Sequence, residues 1–155
     1  MNVTVSGDGM ADIFKGLRFL KENQLLVGIP QDAPSRDDDE PTNAELAYIH
    51  SNGSPKHGIP ARPFLEPALD QTDVQEKITK CMKEAAVFAI DGDESGAMRK
   101  LDDAGTYGEE AAKDYITSGD FAPNKPATIK RKGSSKPLID TASMQNSITH
   151  VIEKR

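Results

Sequence analysis

The stretch TDVQEKITKCMKEAAVF, residues 72–88, decides the fold, because its apolar side chains recur at helical spacing over about five turns. Thr72 and Gln75 have the spacing of a capping box that would start the helix. Cys81 is the single cysteine of the chain, and its place among the apolar residues predicts a small buried hydrophobe rather than a reactive thiol. A long amphipathic helix is therefore predicted, with one apolar stripe made of Val74, Ile78, Cys81, Met82, Ala85 and Phe88.

A second long helix is predicted at about residues 96–118, and Gly119 ends it. Small residues on its apolar face would let another helix approach closely, although each glycine costs about 1 kcal/mol of helix propensity. The face consists of Met98, Leu101, Gly105, Gly108, Ala112 and Tyr115.

The segment DGDESG, residues 91–96, joins these helices and resembles the start of a calcium-binding loop. Asp102 would fill the twelfth position, where an aspartate is too short to act as the usual bidentate glutamate, and the chain has no second loop of this kind. The competing interpretation is a polar turn between antiparallel helices, for which Asp and Gly are typical. The turn is favoured, and a calcium-responsive module stays open as an alternative.

Shorter elements surround the long helices. Residues 10–22 have helical spacing, with Phe14 beside a stripe of Ile13, Leu17 and Leu20. Alternating or continuous apolar runs predict strands at residues 2–6, 25–29 and 147–152. Together these patterns predict an α+β fold in which a small, mostly antiparallel sheet packs against two long helices.

The chain of 155 residues is predicted to be a single domain, 1–155, with two mobile loops. Residues 31–41 contain five acidic residues and two prolines, which predicts a surface loop, with weak cation binding by the acidic run as an alternative. Residues 120–139 are predicted to form a long polar loop with a basic cluster at 125–136. Because no aromatic residue follows Phe121, a solvated loop or one that pairs with acidic subunits is favoured over a nucleic-acid site.

A proline-rich segment occupies residues 54–67, after a short helix that Thr42 and Glu45 are spaced to cap. Gly53 is expected to end that helix in the left-handed conformation. Four prolines in fourteen residues exclude a regular helix or a central strand and fix a stiff path. Stiff segments that carry apolar residues such as Ile59, Phe64 and Leu65 usually pack against the rest of the protein or against another subunit.

The composition of the chain limits the classes of function that the protein can have. A net charge of −6 disfavours a dedicated nucleic-acid or membrane-surface binder. No apolar run is long enough to span a membrane, and no signal peptide is evident, so the protein is expected to be made in a cytoplasm. The scarcity of aromatic residues predicts a thin core that borrows stability from contacts between subunits.

Catalytic and metal-binding patterns are weak in this sequence. His50, His57 and His150 are too few and too scattered for a zinc site, and surface or interface positions are expected for them. The sequence has neither a nucleophile elbow nor a phosphate-binding glycine loop. We therefore expect no enzyme activity and no cofactor. A virion-associated hydrolase that uses Asp and His is the least favoured alternative, since no acid–base pair is clustered in the sequence.

Three sequence blocks resemble a family of bacteriophage proteins. LAYIHSNG (46–53), followed by IPARPFLEPAL (59–69), is similar to a motif of phage tail-completion and neck proteins, including the lambda minor tail protein Z group and the Mu-type virion morphogenesis proteins. KPLIDTASM (136–144), which leads into Ser147-Ile148, is the second block, and LVGIP (26–30) also fits the family order. Family members usually have glycine where this chain has Ala142. The resemblance spans about residues 24–152.

The resemblance implies a structural protein of the virion at the head–tail junction, made in the bacterial host cytoplasm and acting without a cofactor. It implies a homo-oligomeric ring, with a hexamer favoured, that contacts other neck, tail terminator and tail-tube proteins. The candidate partner-binding residues are Tyr48, Ile59, Arg62, Pro63, Phe64, Leu65, Leu138, Asp140 and Thr141.

Two roles remain open for the Arg-Pro-Phe-Leu block. Phe64 and Leu65 could hold the segment on a neighbouring subunit, with Arg62 offering a planar fork to carboxylates or carbonyls. The same side chains could instead fix the segment onto the helix predicted from Thr72 within one chain. The sequence favours neither role.

Overall fold

A computed structural model describes residues 9–33, 41–133, 135–139 and 142–155 of the chain. It is an α+β protein whose content is mostly helical. The described elements are α1 (Gly9–Glu22), β1 (Asn23–Gly28), α2 (Asn43–Asn52), α3 (Leu65–Leu69), α4 (Thr72–Ile90), α5 (Glu94–Ser118), α6 (Pro126–Lys132), α7 (Ser143–Asn146) and β2 (Thr149–Lys154). A short 3₁₀ turn, Pro55–His57, follows α2.

The two long helices α4 and α5 pack against each other, which confirms the central prediction. Their contacting surfaces consist mainly of small residues, so the helix axes can lie close together. Cys81 is buried in this contact as predicted, and burial raises the pKa of its thiol. Met82 was wrongly placed on the buried stripe, because its side chain is 40 % exposed. The buried small residues include Ala85, Ala89, Ala97 and Ala104. Gly105 and Gly108 instead lie against His150 and Val27 of the two strands.

Helix α4 begins differently from the prediction. The residue before its first turn is Gln71, and within the described residues no side chain caps this end, so the predicted cap by Thr72 and Gln75 is wrong. Gln75 instead donates from Nε2 to Asp70 Oδ1 at 3.3 Å. The side chain of Gln75 therefore binds the Asp70 carboxylate and does not form the capping box.

Strands β1 and β2 form a two-stranded antiparallel sheet in which Leu25 pairs with Ile152 and Val27 with His150. The sheet packs on α5, where Val27 lies over Gly108. The predicted strand at 2–6 lies outside the described residues. The C-terminal strand begins at Thr149 rather than at residue 147, because the amides of Ser147 and Ile148 donate to carbonyls of α7.

Helix α1 packs on the C-terminal end of α4 through Gly16, not through its apolar stripe. A Cβ atom at Gly16 would lie 2.7 Å from the backbone nitrogen of Ile90, so only glycine permits this approach. The apolar side chains on the other side of the helix stay exposed. Phe14 is 62 % exposed and Leu17 is 51 % exposed.

The capping box that starts α2 is confirmed: Thr42 Oγ1 accepts from the amide of Glu45, and the Glu45 carboxylate accepts from the amide of Thr42. Gly53 ends the helix with φ 73° and ψ 175°, so its φ is positive but the predicted left-handed conformation is wrong. A Cβ atom there would lie 2.7 Å from the backbone nitrogen of Ala61, and the close return of the chain explains the glycine.

Two predicted irregular segments contain short helices. Residues 54–67 were predicted to exclude a regular helix, yet α3 begins at Leu65, because Pro67 falls in its first turn, where a missing amide hydrogen costs nothing. Residues 120–139 were predicted to be loop throughout, yet they contain α6. Pro126 occupies the first turn of α6, and Gly133 ends it in the left-handed conformation.

Candidate functional site

Arg62 connects the proline-rich segment to the chain that follows α5. Its Nε atom donates to the carbonyl oxygen of Ala122 at 2.7 Å, and its Nη2 atom donates to the carbonyl oxygen of Pro123 at 3.1 Å. Asn124 Oδ1 accepts a further bond at 3.3 Å. Arg62 is only 6 % exposed, so its planar fork binds carbonyls within the protomer.

Phe64 belongs to the core of the protomer. It is 3 % exposed and shares one buried cluster with Ala68, Ala112, Ile116, Leu138, Met144 and Ile148. None of these cluster members belongs to α4, so the segment packs on α5 and the C-terminal region rather than on the helix from Thr72. Of the two roles left open by the sequence, burial within one chain is the one observed for Arg62 and Phe64.

The other candidate residues differ in exposure. Tyr48, on α2, is 71 % exposed, and Pro63 is exposed, whereas Ile59 and Leu65 are half-buried. Leu138 is buried with a positive φ of 62°. Asp140 and Thr141 lie outside the described residues.

A groove of about 620 Å³ lies between the proline-rich segment and α6. We call it the basic groove. Its cationic side chains are Arg62, Lys125, Arg131 and Lys132, and His50 also lines it. Its apolar side chains include Leu46, Ile59, Leu138 and Met144, so residues 46–69 and 136–144 contribute to one surface.

The pKa of His50 reflects the positive charges that line this groove. Burial lowers the pKa of its imidazole, and the nearby charges of Arg62 and Lys132 lower the pKa further. The Nδ1 atom of His50 is buried and has no hydrogen-bond partner among the described residues. A neutral imidazole is therefore favoured, because a second proton would add positive charge beside two cations.

Asn43 connects α2 to α7 and was not singled out in the sequence. It is buried, and its Nδ2 atom donates to Ser147 Oγ at 2.8 Å and to Ser143 Oγ at 3.1 Å. These bonds fix one wall of the groove region, since α2 carries His50 and α7 carries Met144. The contact joins residues about a hundred positions apart, so no local signal could have indicated it.

A second constellation surrounds His150 on β2. Its Nδ1 atom lies 2.9 Å from Glu109 Oε2, and its Nε2 atom lies 3.1 Å from Asp102 Oδ1. The ring rests on Gly105, where a Cβ atom would lie 2.2 Å from Cδ2. The expectation that no acid–base groups cluster was therefore wrong. Because both ring nitrogens contact carboxylates, the arrangement holds β2 on α5 and leaves neither nitrogen to accept a proton from a substrate.

The pKa values around His150 shift in opposite directions. Burial alone would lower the pKa of His150, but hydrogen bonds and attraction from Asp102 and Glu109 outweigh it and raise the pKa. Burial alone would raise the pKa of Glu109, but hydrogen bonds from Lys113 and His150 lower it. A protonated His150 between two carboxylates is the arrangement that these shifts favour.

The calcium-like segment forms the polar turn between α4 and α5. Asp93 Oδ1 accepts from the amide of Gly96 at 2.8 Å and so caps α5. Because α5 begins at Glu94, nine of the twelve positions are helical and do not wrap around an ion. Within the described ranges, no three His, Cys, Asp or Glu side chains are grouped to hold a metal ion.

Comparisons of the chain with protein-family models, with curated proteins and with solved structures found no match. Across the described parts of the chain, no helix combines the length and the apolar character needed to cross a membrane.

Proposed function

We propose that the protein is a structural virion protein of a long-tailed bacteriophage, which completes the tail or neck and joins tail to head as a ring-forming subunit. The observation that carries this proposal is that two motif blocks, far apart in sequence, form one structural unit. Phe64 of the first block shares a core with Leu138 and Met144 of the second. Residues that occur together in a family motif are expected to be in contact in the folded protein, and Phe64, Leu138 and Met144 share one buried cluster.

The backbone conformation of Ala142 supports the family resemblance independently. Its φ of 59° and ψ of 6° lie in the left-handed region, which glycine adopts without strain and alanine does not. Family members usually have glycine at this position. The turn in this chain therefore has the backbone conformation that the family residue would favour, although the residue itself differs.

The exposed apolar face of α1 supports assembly into an oligomer. Met10, Ile13, Phe14 and Leu17 are all exposed, whereas Gly16 of the same helix contacts α4. Contiguous apolar surface on a subunit typically marks a contact with another protein. In the proposed function, this face is covered in the assembled ring, which accounts for a sequence stripe that the protomer does not bury.

Sedimentation velocity of the purified protein, alone and mixed with phage tail particles, tests the proposal. We expect a ring, or cosedimentation with particles, and no hydrolytic turnover. Phe14→Ser with Leu17→Ser is expected to impair assembly, whereas Val87→Ser, which changes an equally exposed side chain on α4, serves as the control. A strict monomer that binds neither heads nor tails would overturn the proposed function.

A further inference from the structure

The basic groove contains two cations that have no carboxylate partner among the described residues. Lys125 and Arg131 are exposed, and neither takes part in the ion pairs formed among the described residues. The half-buried apolar side chains of Leu46 and Ile59 line the same groove. A surface of this kind suits a protein segment that presents carboxylates next to an apolar or aromatic group.

The chain carries such a segment on α5. Asp103, Tyr107, Glu110 and Asp114 are spaced to share one side of the helix, and all four are exposed. We call these residues the acidic stripe. Glu110 and Asp114 are four residues apart, have like charge and form no ion pair with a described cation. Like charges at this spacing repel each other, so a cation from outside the protomer would relieve a destabilising contact.

We infer that the basic groove of one subunit binds the acidic stripe of a second copy, with Lys125 and Arg131 opposite Glu110 and Asp114 and with Tyr107 against the apolar lining. The inference rests on the proposed ring-forming function and deepens it. Because the two surfaces differ, the contact is heterologous, and contacts of this type generate closed rings when the rotation between subunits closes.

Nucleic acid is a weaker candidate for the groove. Among the described residues, its lining includes no Phe, Tyr or Trp side chain on which bases could stack, and its apolar side chains would gain no contact with a phosphate backbone. The protein as a whole is negatively charged, which disfavours long-range attraction of nucleic acid. A second copy carries the same net negative charge, so its attraction to the groove is local and comes from the exposed carboxylates of the acidic stripe.

Charge reversal with complementation tests the inference by sedimentation velocity. The groove variant is Lys125→Glu with Arg131→Glu, and the stripe variant is Glu110→Lys with Asp114→Lys. Each alone is expected to self-associate at least about tenfold more weakly than the wild type. An equimolar mixture is expected to recover assembly, since each variant supplies the surface that the other now requires. Wild-type assembly is expected to weaken as salt rises.

The matched control is Lys56→Glu with Lys130→Glu, which changes the net charge equally at two exposed lysines that do not line the groove. It is expected to assemble like the wild type, and thermal melting verifies that every variant is folded. Full assembly of the groove variant or of the stripe variant would overturn the inference while leaving the proposed function standing. Failure of the mixture to recover assembly would also overturn it.

Two further outcomes count against the inference. One is that neutralising the acidic run at residues 37–40, rather than reversing the stripe, abolishes assembly, which would make that run the occupant. The other is that the groove variant loses affinity for duplex DNA but self-associates normally, which would make nucleic acid the partner. If the wild type is monomeric and absent from virions, the proposed function fails and the inference fails with it.

Discussion

The guanidinium of Arg62 donates from Nε to the carbonyl oxygen of Ala122 at 2.7 Å and so joins two segments sixty residues apart. The fork of Arg62 also reaches the carbonyl oxygen of Pro123 and the side chain of Asn124. Lysine could not replace it, because an ammonium group is a point donor without this planar geometry. The bonds place the chain that precedes α6 beside the proline-rich segment and so form the basic groove.

We expect Arg62→Lys to lower the free energy of unfolding by about 1–3 kcal/mol, because an ammonium group cannot make all three bonds that the guanidinium makes. Urea denaturation measures the change. Arg99→Lys is the matched control, since Arg99 is exposed and makes only a long contact with Asp93. Equal stability of the two variants would show that the bonds of Arg62 contribute nothing to the fold.

Phe64→Ala is expected to destabilise the protein by about 3–5 kcal/mol, because it removes a buried ring from the main core. Phe121→Ala is expected to cost less, since Phe121 is only partly buried and makes one edge-on contact with Tyr115 at 5.7 Å. Circular dichroism melts compare the two. A Phe64→Ala protein that melts like the wild type would contradict the placement of Phe64 in the core.

The sequence predicted the elements whose signals are local. The periodicity of residues 72–88 indicated α4, and the capping box at Thr42 and Glu45 gave the start of α2. The helix α6 also had local signals, Pro126 in its first turn and Gly133 at its end, but the density of lysines favoured a loop interpretation. For α1, periodicity predicted the helix but could not tell which side is buried. Gly16 packs against α4, whereas Ile13 and Leu17 of the apolar stripe stay exposed.

The sites depend on contacts that no local pattern encodes. His150 meets Glu109 and Asp102 across 41 and 48 residues, so the cluster exists only once β2 lies on α5. The basic groove likewise needs α6, the proline-rich segment and Leu138 together. The sequence did not indicate that Arg62 and Phe64 are buried while Tyr48 is exposed.

His150 is expected to make stability fall as pH rises above 6.5. Its pKa in the folded state is raised above the ordinary value of 6.5, so its stabilisation is fully present below pH 6.5 and is lost as pH rises through the folded-state pKa. Urea denaturation between about pH 5 and pH 9 gives the profile. His150→Gln is expected to remove this loss, and an unchanged profile in the variant would contradict the assignment.

His50 is expected to have the opposite effect on stability, which should decrease as pH falls. Burial and the charges of Arg62 and Lys132 lower its pKa below 6.5, so protonation favours the unfolded chain and stability is lost as pH falls below 6.5. His50→Gln is expected to flatten the acidic side of the same profile while leaving the alkaline side unchanged. The two histidine variants serve as controls for each other, because their effects lie on opposite sides of pH 6.5.

Asp93→Ala is expected to lower stability by about 1 kcal/mol through loss of the cap on α5, equally with calcium and with a chelator present. Thermal melts under both conditions measure this. A calcium-dependent stabilisation of the wild type that disappears in the variant would instead favour the calcium-responsive module.

Ala142→Gly is expected to stabilise the protein by about 0.5–1 kcal/mol. The left-handed backbone of Ala142, with φ 59°, costs an alanine about 1–2 kcal/mol, and glycine removes that strain at a smaller cost in unfolded-state entropy. Urea denaturation measures the gain. Ala86→Gly, in the right-handed interior of α4, is the matched control and is expected to lose about 1 kcal/mol, because no strain is relieved there. Destabilisation by both substitutions would mean that the turn at Ala142 is not left-handed, and it would remove this turn from the support for the family resemblance.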